Sequence, residues 1–172
     1  MLNDAIKVAR LKGLNREYNK IDVEKSLIRF RNVIYNKPVK FGSESVTALN
    51  AGHMPGSASF LLKTKKKRIL YTGDFKMEST SLIDGANFSR IKKLDIALME
   101  TTYSSRDHPP RDTVEKDMVK TIRNTVHAGG IALIPCFSSR AADIIVALFK
   151  EKANFPIYLD GMAKAAVEIT LN

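Results

Sequence analysis

The chain has 172 residues, 44% hydrophobic and 27% charged. That suits one ordinary domain or parts of two, and excludes disorder, collagen and coiled coil as descriptions of the whole. The formal charge is +10, and all of it lies in residues 1–76, which hold 16 basic and 6 acidic side chains against 12 of each in residues 77–172. A basic half joined to a neutral half fits a polyanion partner, nucleic acid first, although solvated surface lysines would give the same count. No apolar run approaches the ~20 residues of a membrane helix. No leader segment is expected at Met1, and the single cysteine, Cys136, excludes an intrachain disulfide, so a reducing, cytoplasmic setting is expected.

In chain order, Leu2, Ala5, Ile6 and Ala9 recur at helical spacing, and Gly13 is a plausible stop. A second helix is predicted over residues 23–30 with Asp22 as its N-cap. Residues 33–35 and 38–41 read as extended pieces and 45–50 as a strand. Residues 58–62 and 68–72 form a predicted hairpin whose tip carries Lys63, Lys65, Lys66 and Lys67. Residues 95–99 read as a buried strand. From there the pattern alternates: helix 113–127, strand 131–135, helix 140–150, strand 157–159, helix 163–171. Such alternation predicts a parallel sheet with crossover helices. The change of style near residues 103–111 places a domain boundary there, giving segments 1–105 and 106–172.

Three side chains converge in this scheme. His53 sits in a glycine-rich loop just past a strand, within Ala51-Gly52-His53-Met54-Pro55-Gly56. The two hairpin arms have equal length, so Asp74 returns to the edge His53 left. If the strand at 95–99 runs parallel to 68–72, it delivers Glu100 to the same edge. Imidazole nitrogen and carboxylate oxygen are donors that zinc accepts. Taken singly, each has an ordinary alternative: a hydrogen-bonded loop histidine, a turn aspartate, a solvent-facing glutamate.

The strings AGHMPGSASFLL, RILYTGDF and DIALMETTYSSRDHP, in that order, resemble the metallo-β-lactamase-fold nucleases of the β-CASP family, which include ribonuclease J and the endonuclease subunit of the mRNA cleavage and polyadenylation machinery. The opening DAIKVARLKG and the closing PIYLDGMAKAAVEI look most like archaeal members. The resemblance implies an α/β fold: part of a metallo-β-lactamase (αββα) domain followed by the start of a Rossmann-like β-CASP domain. It implies a metal-dependent ribonuclease acting in RNA processing or decay. It further implies that His53 ligates one zinc ion, that Asp74 bridges two, and that Glu100 orients a histidine of the β-CASP domain. Two metals would lower the pKa of a bound water and clamp the scissile phosphate.

The chain departs from the family at several points. The H-x-H-x-D-H motif is missing, the only histidines being His53, His108 and His127, and the family's later histidines are missing too. Ser104 stands where a glycine is usual, and Ser139-Arg140-Ala141-Ala142-Asp143 where G-R-A-Q-E is usual. The resemblance therefore covers the central portion of a longer enzyme, and an incomplete active site is expected, with zinc not retained by this chain alone. The expected partners are RNA, a separate chain supplying the missing metal motif, and a second copy of this chain, with no membrane. The competing reading is a non-catalytic remnant that binds RNA or protein. Ester hydrolysis on the same fold is a third, disfavoured by the β-CASP half.

The remaining candidates are simpler. Ser138 and Ser139 are placed to cap the helix at Arg140, where a helix N-terminus also suits a phosphate, so these three are the expected RNA contacts. His108 is expected to be structural or exposed, and His127 to close a helix whose dipole favours a cation. Cys136 is read as a small apolar filler. The lysine tip reads as a solvated turn.

Overall fold

The computed structural model describes residues 2–15 and 17–171, leaving the side chains of Asp4, Ser138 and Ser139 outside that description. Two compact units are present, Met1–Ile34 and Tyr35–Asn172.

The first unit holds α1 (Leu2–Leu11), which ends just ahead of Gly13, and α2 (Lys20–Ile28). α2 starts three residues earlier than the sequence pattern predicts. Its N-cap is Asn19, whose Oδ1 accepts from the Ile21 and Asp22 amides at 2.8 and 3.3 Å. Asp22 is not the cap: it stands at the third helical position, and its Oδ2 accepts from the Asn19 amide at 2.9 Å. This reciprocal capping box satisfies donors that a helix start otherwise leaves open.

The second unit opens with a five-stranded sheet in sequential order: β1 (Pro38–Phe41), β2 (Glu44–Asn50), β3 (Ala58–Lys63), β4 (Arg68–Tyr71) and β5 (Ile96–Leu98). β1 to β4 pair antiparallel, and β5 joins β4 in parallel. The β3–β4 hairpin is as the alternation predicts. Side chains alternate between the two faces. Leu49, Ser59 and Leu70 are buried on one face, while the paired row Phe60, Tyr71 and Leu98 on the other is exposed. The predicted strand at 95–99 is thus present but not buried, since Ile96, Ala97 and Leu98 are all exposed. β5 is an edge strand, with a neighbour on one side only.

The crossover from β4 to β5 is irregular and anchored at both ends. Thr72, buried, donates its amide to Leu98 O at 3.0 Å, and the Asp95 amide donates to Arg68 O at 2.9 Å. Midway, the Lys76 amide donates to Ala51 O at 2.8 Å and the Ala86 amide to Lys76 O at 2.7 Å. The chain therefore runs directly against Gly52, where a Cβ would overlap backbone atoms of Lys76, Gly85 and Ala86.

Three helices follow: α3 (Arg111–His127), α4 (Ser138–Lys150) and α5 (Met162–Leu171). Val119, Ile122 and Leu148 make a small core between α3 and α4, flanked by Ala132 and Phe155. Arg123 donates to Glu151 O at 2.7 Å and ties the two helix ends. The strands predicted at 131–135 and 157–159 do not form: both stretches lie outside the strands and helices, and neither belongs to the five-stranded sheet. A run of apolar residues becomes a strand only when its amides and carbonyls meet a ladder partner. Here Ile131, Leu133 and Tyr158 are more than four-fifths exposed, so the alternation of the sequence is realised as helices separated by irregular linkers.

Candidate metal-binding edge of the sheet

The site is built where β2, β4 and β5 end. β2 runs into residues 51–57, a loop folded around Ser57. The Ser57 hydroxyl oxygen accepts from the His53 and Met54 amides, each at 3.2 Å, and the Ser57 amide donates to Met54 O at 3.0 Å. The Ala51 amide donates to Ser57 O at 3.1 Å, and the Tyr35 hydroxyl donates to the same oxygen at 2.8 Å. Burial pushes the Tyr35 phenol above its usual range. Gly52 holds a positive φ of 66°, a region costly to other residues, and with the crossover chain beside it this fixes the backbone that presents His53.

β4 continues through Thr72 and Gly73 to Asp74. The Ser59 hydroxyl, fully buried, donates to Thr72 O at 2.7 Å and pins this strand end. His53 Nε2 lies 3.9 Å from Asp74 Oδ2, with the imidazole mostly covered and the carboxylate mostly exposed. β5 leads to Glu100. Its two oxygens accept from the Phe75 and Thr102 amides, at 3.3 Å each. Hydrogen bonds from the Thr102 side chain, the Phe75 amide and the Thr102 amide hold the Glu100 carboxyl below the usual carboxylate range, with a smaller contribution from His53. The structure thus brings His53, Asp74 and Glu100 to one sheet edge.

The other candidates are placed elsewhere. Arg140, on α4, donates from Nη1 to Asp143 Oδ2 at 3.4 Å, and Asp143 Oδ1 is buried with no hydrogen-bond partner. Ser138 and Ser139 are not the cap: α4 starts at Ser138 with Phe137 at the N-cap, and the two serine side chains fall outside the described part. Cys136 is exposed and fills no core, because the stretch around it is not a strand. His108 meets the Tyr103 ring edge-on at 4.5 Å, and His127 closes α3.

Two residues escape a reading of the sequence alone. Ser57 organises the histidine loop; a serine three residues after Met54 is the local signal for such a turn. Lys76 is half-buried, and burial, Arg111 and Arg140 push its ammonium below the usual lysine range, partly offset by Glu78 and Asp143. No sequence pattern announces that neighbourhood, since it joins the crossover to α3 and α4.

Two antiparallel-ladder ends and a parallel one, delivering an imidazole and two carboxylates to one edge, match a known family. Residues 2–103 fit the metallo-beta-lactamase superfamily domain, and the chain belongs to that superfamily. Among its relatives, a protein named probable RNase MJ4 of Methanocaldococcus jannaschii is 38% identical over the whole of this chain and 41% of its own length. RNase aCSPSF2 of Saccharolobus solfataricus is 33% identical over 99% of this chain and 34% of its own. Cleavage and polyadenylation specificity factor subunit 3 of Dictyostelium discoideum is 32% identical over 86% of this chain and 19% of its own. The chain spans about two fifths or less of the length of these relatives. The resemblance to β-CASP ribonucleases drawn from the three motifs holds.

Membership implies dependence on a divalent metal. Catalytic zinc takes about three ligands from protein. His53 and Asp74 offer two side chains of the right chemistry, and Glu100 is occupied by backbone amides. Among the described residues, no group of three or more histidine, cysteine, aspartate or glutamate side chains could hold a metal ion. The residues present therefore do not fit a metal by themselves. Among the described residues, no helix is long and apolar enough to cross a membrane.

Proposed function

We propose that this chain contributes part of the active site of a metal-dependent ribonuclease, with further ligands supplied from outside its 172 residues. The carrying observation is the placement of His53 and Asp74, 3.9 Å apart at the edge where Glu100 also arrives. The names of the relatives, ribonucleases and an RNA 3′-end processing subunit, support RNA as the substrate. In this reading His53 and Asp74 are ligands for zinc. Glu100 is a positioning residue: a carboxylate anchored by the Phe75 and Thr102 amides at this edge is suited to orient an imidazole. Arg140, with Ser138 and Ser139, contacts RNA phosphate from the start of α4. The metallo-β-lactamase part ends near residue 105, two residues past the family match, and 106–172 begins the β-CASP domain. The missing ligands come from outside these residues, whether from another part of a longer chain, a separate chain or a second copy, and the setting is cytoplasmic.

The test pairs the purified chain with a separately expressed segment of the Methanocaldococcus relative that precedes the matched region. Metal is measured by elemental analysis, and labelled RNA is incubated with Zn²⁺ or Mn²⁺. The expected result is little metal and no cleavage by the chain alone, and cleavage by the pair that is lost in Asp74→Ala. Cleavage that survives Asp74→Ala would overturn the site assignment. A stable pair that binds RNA without metal or cleavage would favour the non-catalytic remnant.

A further inference from the structure

The sheet has a second end, opposite the His53 edge, and its chemistry is different. The hairpin tip between β3 and β4 carries Lys63, Lys65, Lys66 and Lys67, all exposed. Because β5 runs parallel to β4, the residues before β5 lie beside that tip, which brings Lys92 and Lys93, also exposed, to the same end. The pairing of Arg68 with Asp95 fixes this: the Arg68 amide donates to Asp95 Oδ2 at 2.7 Å, and the Asp95 amide returns to Arg68 O at 2.9 Å. None of the six lysines has an ion-pair partner among the described residues.

Two features go beyond a solvated turn. First, the strand register lines up Lys40, Ser45, Lys63 and Arg68 as one row across β1 to β4, so they share a face. Lys63 and Arg68 are direct cross-strand partners, and like charges directly opposite destabilise a sheet. Arg68 Nε is in addition buried with no hydrogen-bond partner. Repulsion between these paired cations is relieved by an anion at the exposed Lys63 end of the row; the covered Nε is not itself a contact. Second, the tip is rigid: Thr64 Oγ1 accepts from the Lys66 and Lys67 amides at 3.2 and 2.9 Å, and the Thr64 amide donates to Lys67 O at 2.9 Å. The lysines therefore project from a fixed turn, and little backbone order is lost when they engage a ligand.

We propose that this basic end is a phosphate-backbone contact for single-stranded RNA, separate from the metal-binding edge. β3 has six residues, so the two ends lie about 20 Å apart along the sheet. One RNA chain can then touch both. Lysines projecting from this turn read the repeated charge of a backbone rather than bases. The proposal rests on RNA being the substrate, but its test reads binding, not cleavage.

A fluorescein-labelled oligouridylate is titrated with the full chain at several salt concentrations. In the triple variant Lys65→Ala, Lys66→Ala, Lys67→Ala, the slope of log affinity against log salt is expected to shrink by about 2, since each single-strand phosphate contact contributes about 0.7. The tip turn is made by Thr64 and backbone, so circular dichroism should be unchanged. A control triple on the first unit, Lys7→Ala, Lys12→Ala, Lys20→Ala, should leave the slope near that of the wild type. An unchanged slope in the tip variant, or an equal loss in the control, overturns the basic-end contact while leaving RNA as substrate intact. Displacement by poly-glutamate as effective, charge for charge, as by RNA overturns it in favour of an acidic protein. If the wild type binds no RNA at all, this contact falls, while the ribonuclease reading is still decided by the cleavage assay of the pair.

Discussion

Replacing Gly52 by alanine should damage the protein far more than the same change at Gly56. Both glycines sit in the loop that presents His53, and both have positive φ, 66° and 80°. The left-handed backbone alone costs an alanine roughly 1–2 kcal/mol at either position. At Gly56 nothing lies within 4 Å of the added Cβ. At Gly52 the Cβ would fall onto backbone atoms of Lys76, Gly85 and Ala86, which cannot rotate away as a side chain could. Such overpacking adds about 1–3 kcal/mol. Gly52→Ala should therefore lose roughly 2–5 kcal/mol in total, a large share of the ~5–15 kcal/mol that domains have to spare. The assay is urea unfolding of wild type and both variants, followed by circular dichroism, with midpoints compared at constant m. In thermal melts the extra loss at Gly52 corresponds to about 2–4 °C per kcal/mol. Equal losses at the two positions would refute the argument, because they would show that the crossover does not press on Gly52.

Leu148→Ala opens the small core against Val119 and Ile122 and should cost about 2–5 kcal/mol by urea unfolding; a loss under about 1 kcal/mol would mean that the helices repack freely. Asn19→Ala removes the capping box of α2 and should cost about 1 kcal/mol, seen as faster amide exchange over residues 20–24; unchanged exchange there would refute it. The Glu100 carboxyl is held below its ordinary pKa, so its contribution to stability is present at neutral pH and lost as pH falls through the folded-state value. Glu100→Gln should accordingly flatten the acid limb of the stability profile below about pH 5. Parallel acid limbs for wild type and variant would count against the hydrogen-bonded carboxylate.

The hairpin and the meeting of His53 with Asp74 were legible because local rules set them. Residues 58–62 and 68–72 read as arms of equal length around a polar turn, and equal arms return the chain to its starting edge. The start of α2 was misjudged because Asn19 and Asp22 are both good caps, and only the reciprocal bond decides which one is outside the helix. Residues 131–135 and 157–159 have the composition of strands, but a strand is a relation between two segments, and that relation is not written in either one. The irregular crossover has no periodicity to read. Its approach to Gly52, and the neighbourhood of Lys76, follow from tertiary packing alone.

The connection lengths in the sheet have a consequence for the order of assembly. β1 to β4 are linked by two, seven and four residues, whereas twenty-four separate β4 from β5. Closing the long connection costs about 1.6 kcal/mol more chain entropy than closing the four-residue one, and non-local pairings form late. The antiparallel meander, with His53 and Asp74 at its ends, can therefore form as an early unit, and Glu100 reaches the edge only when the crossover docks. The three-residue β4–β5 ladder is also the shortest pairing in the sheet. In the native state it should be the first to open, so the Thr72 amide, which donates to Leu98 O, should exchange with solvent ahead of the β2–β3 amides.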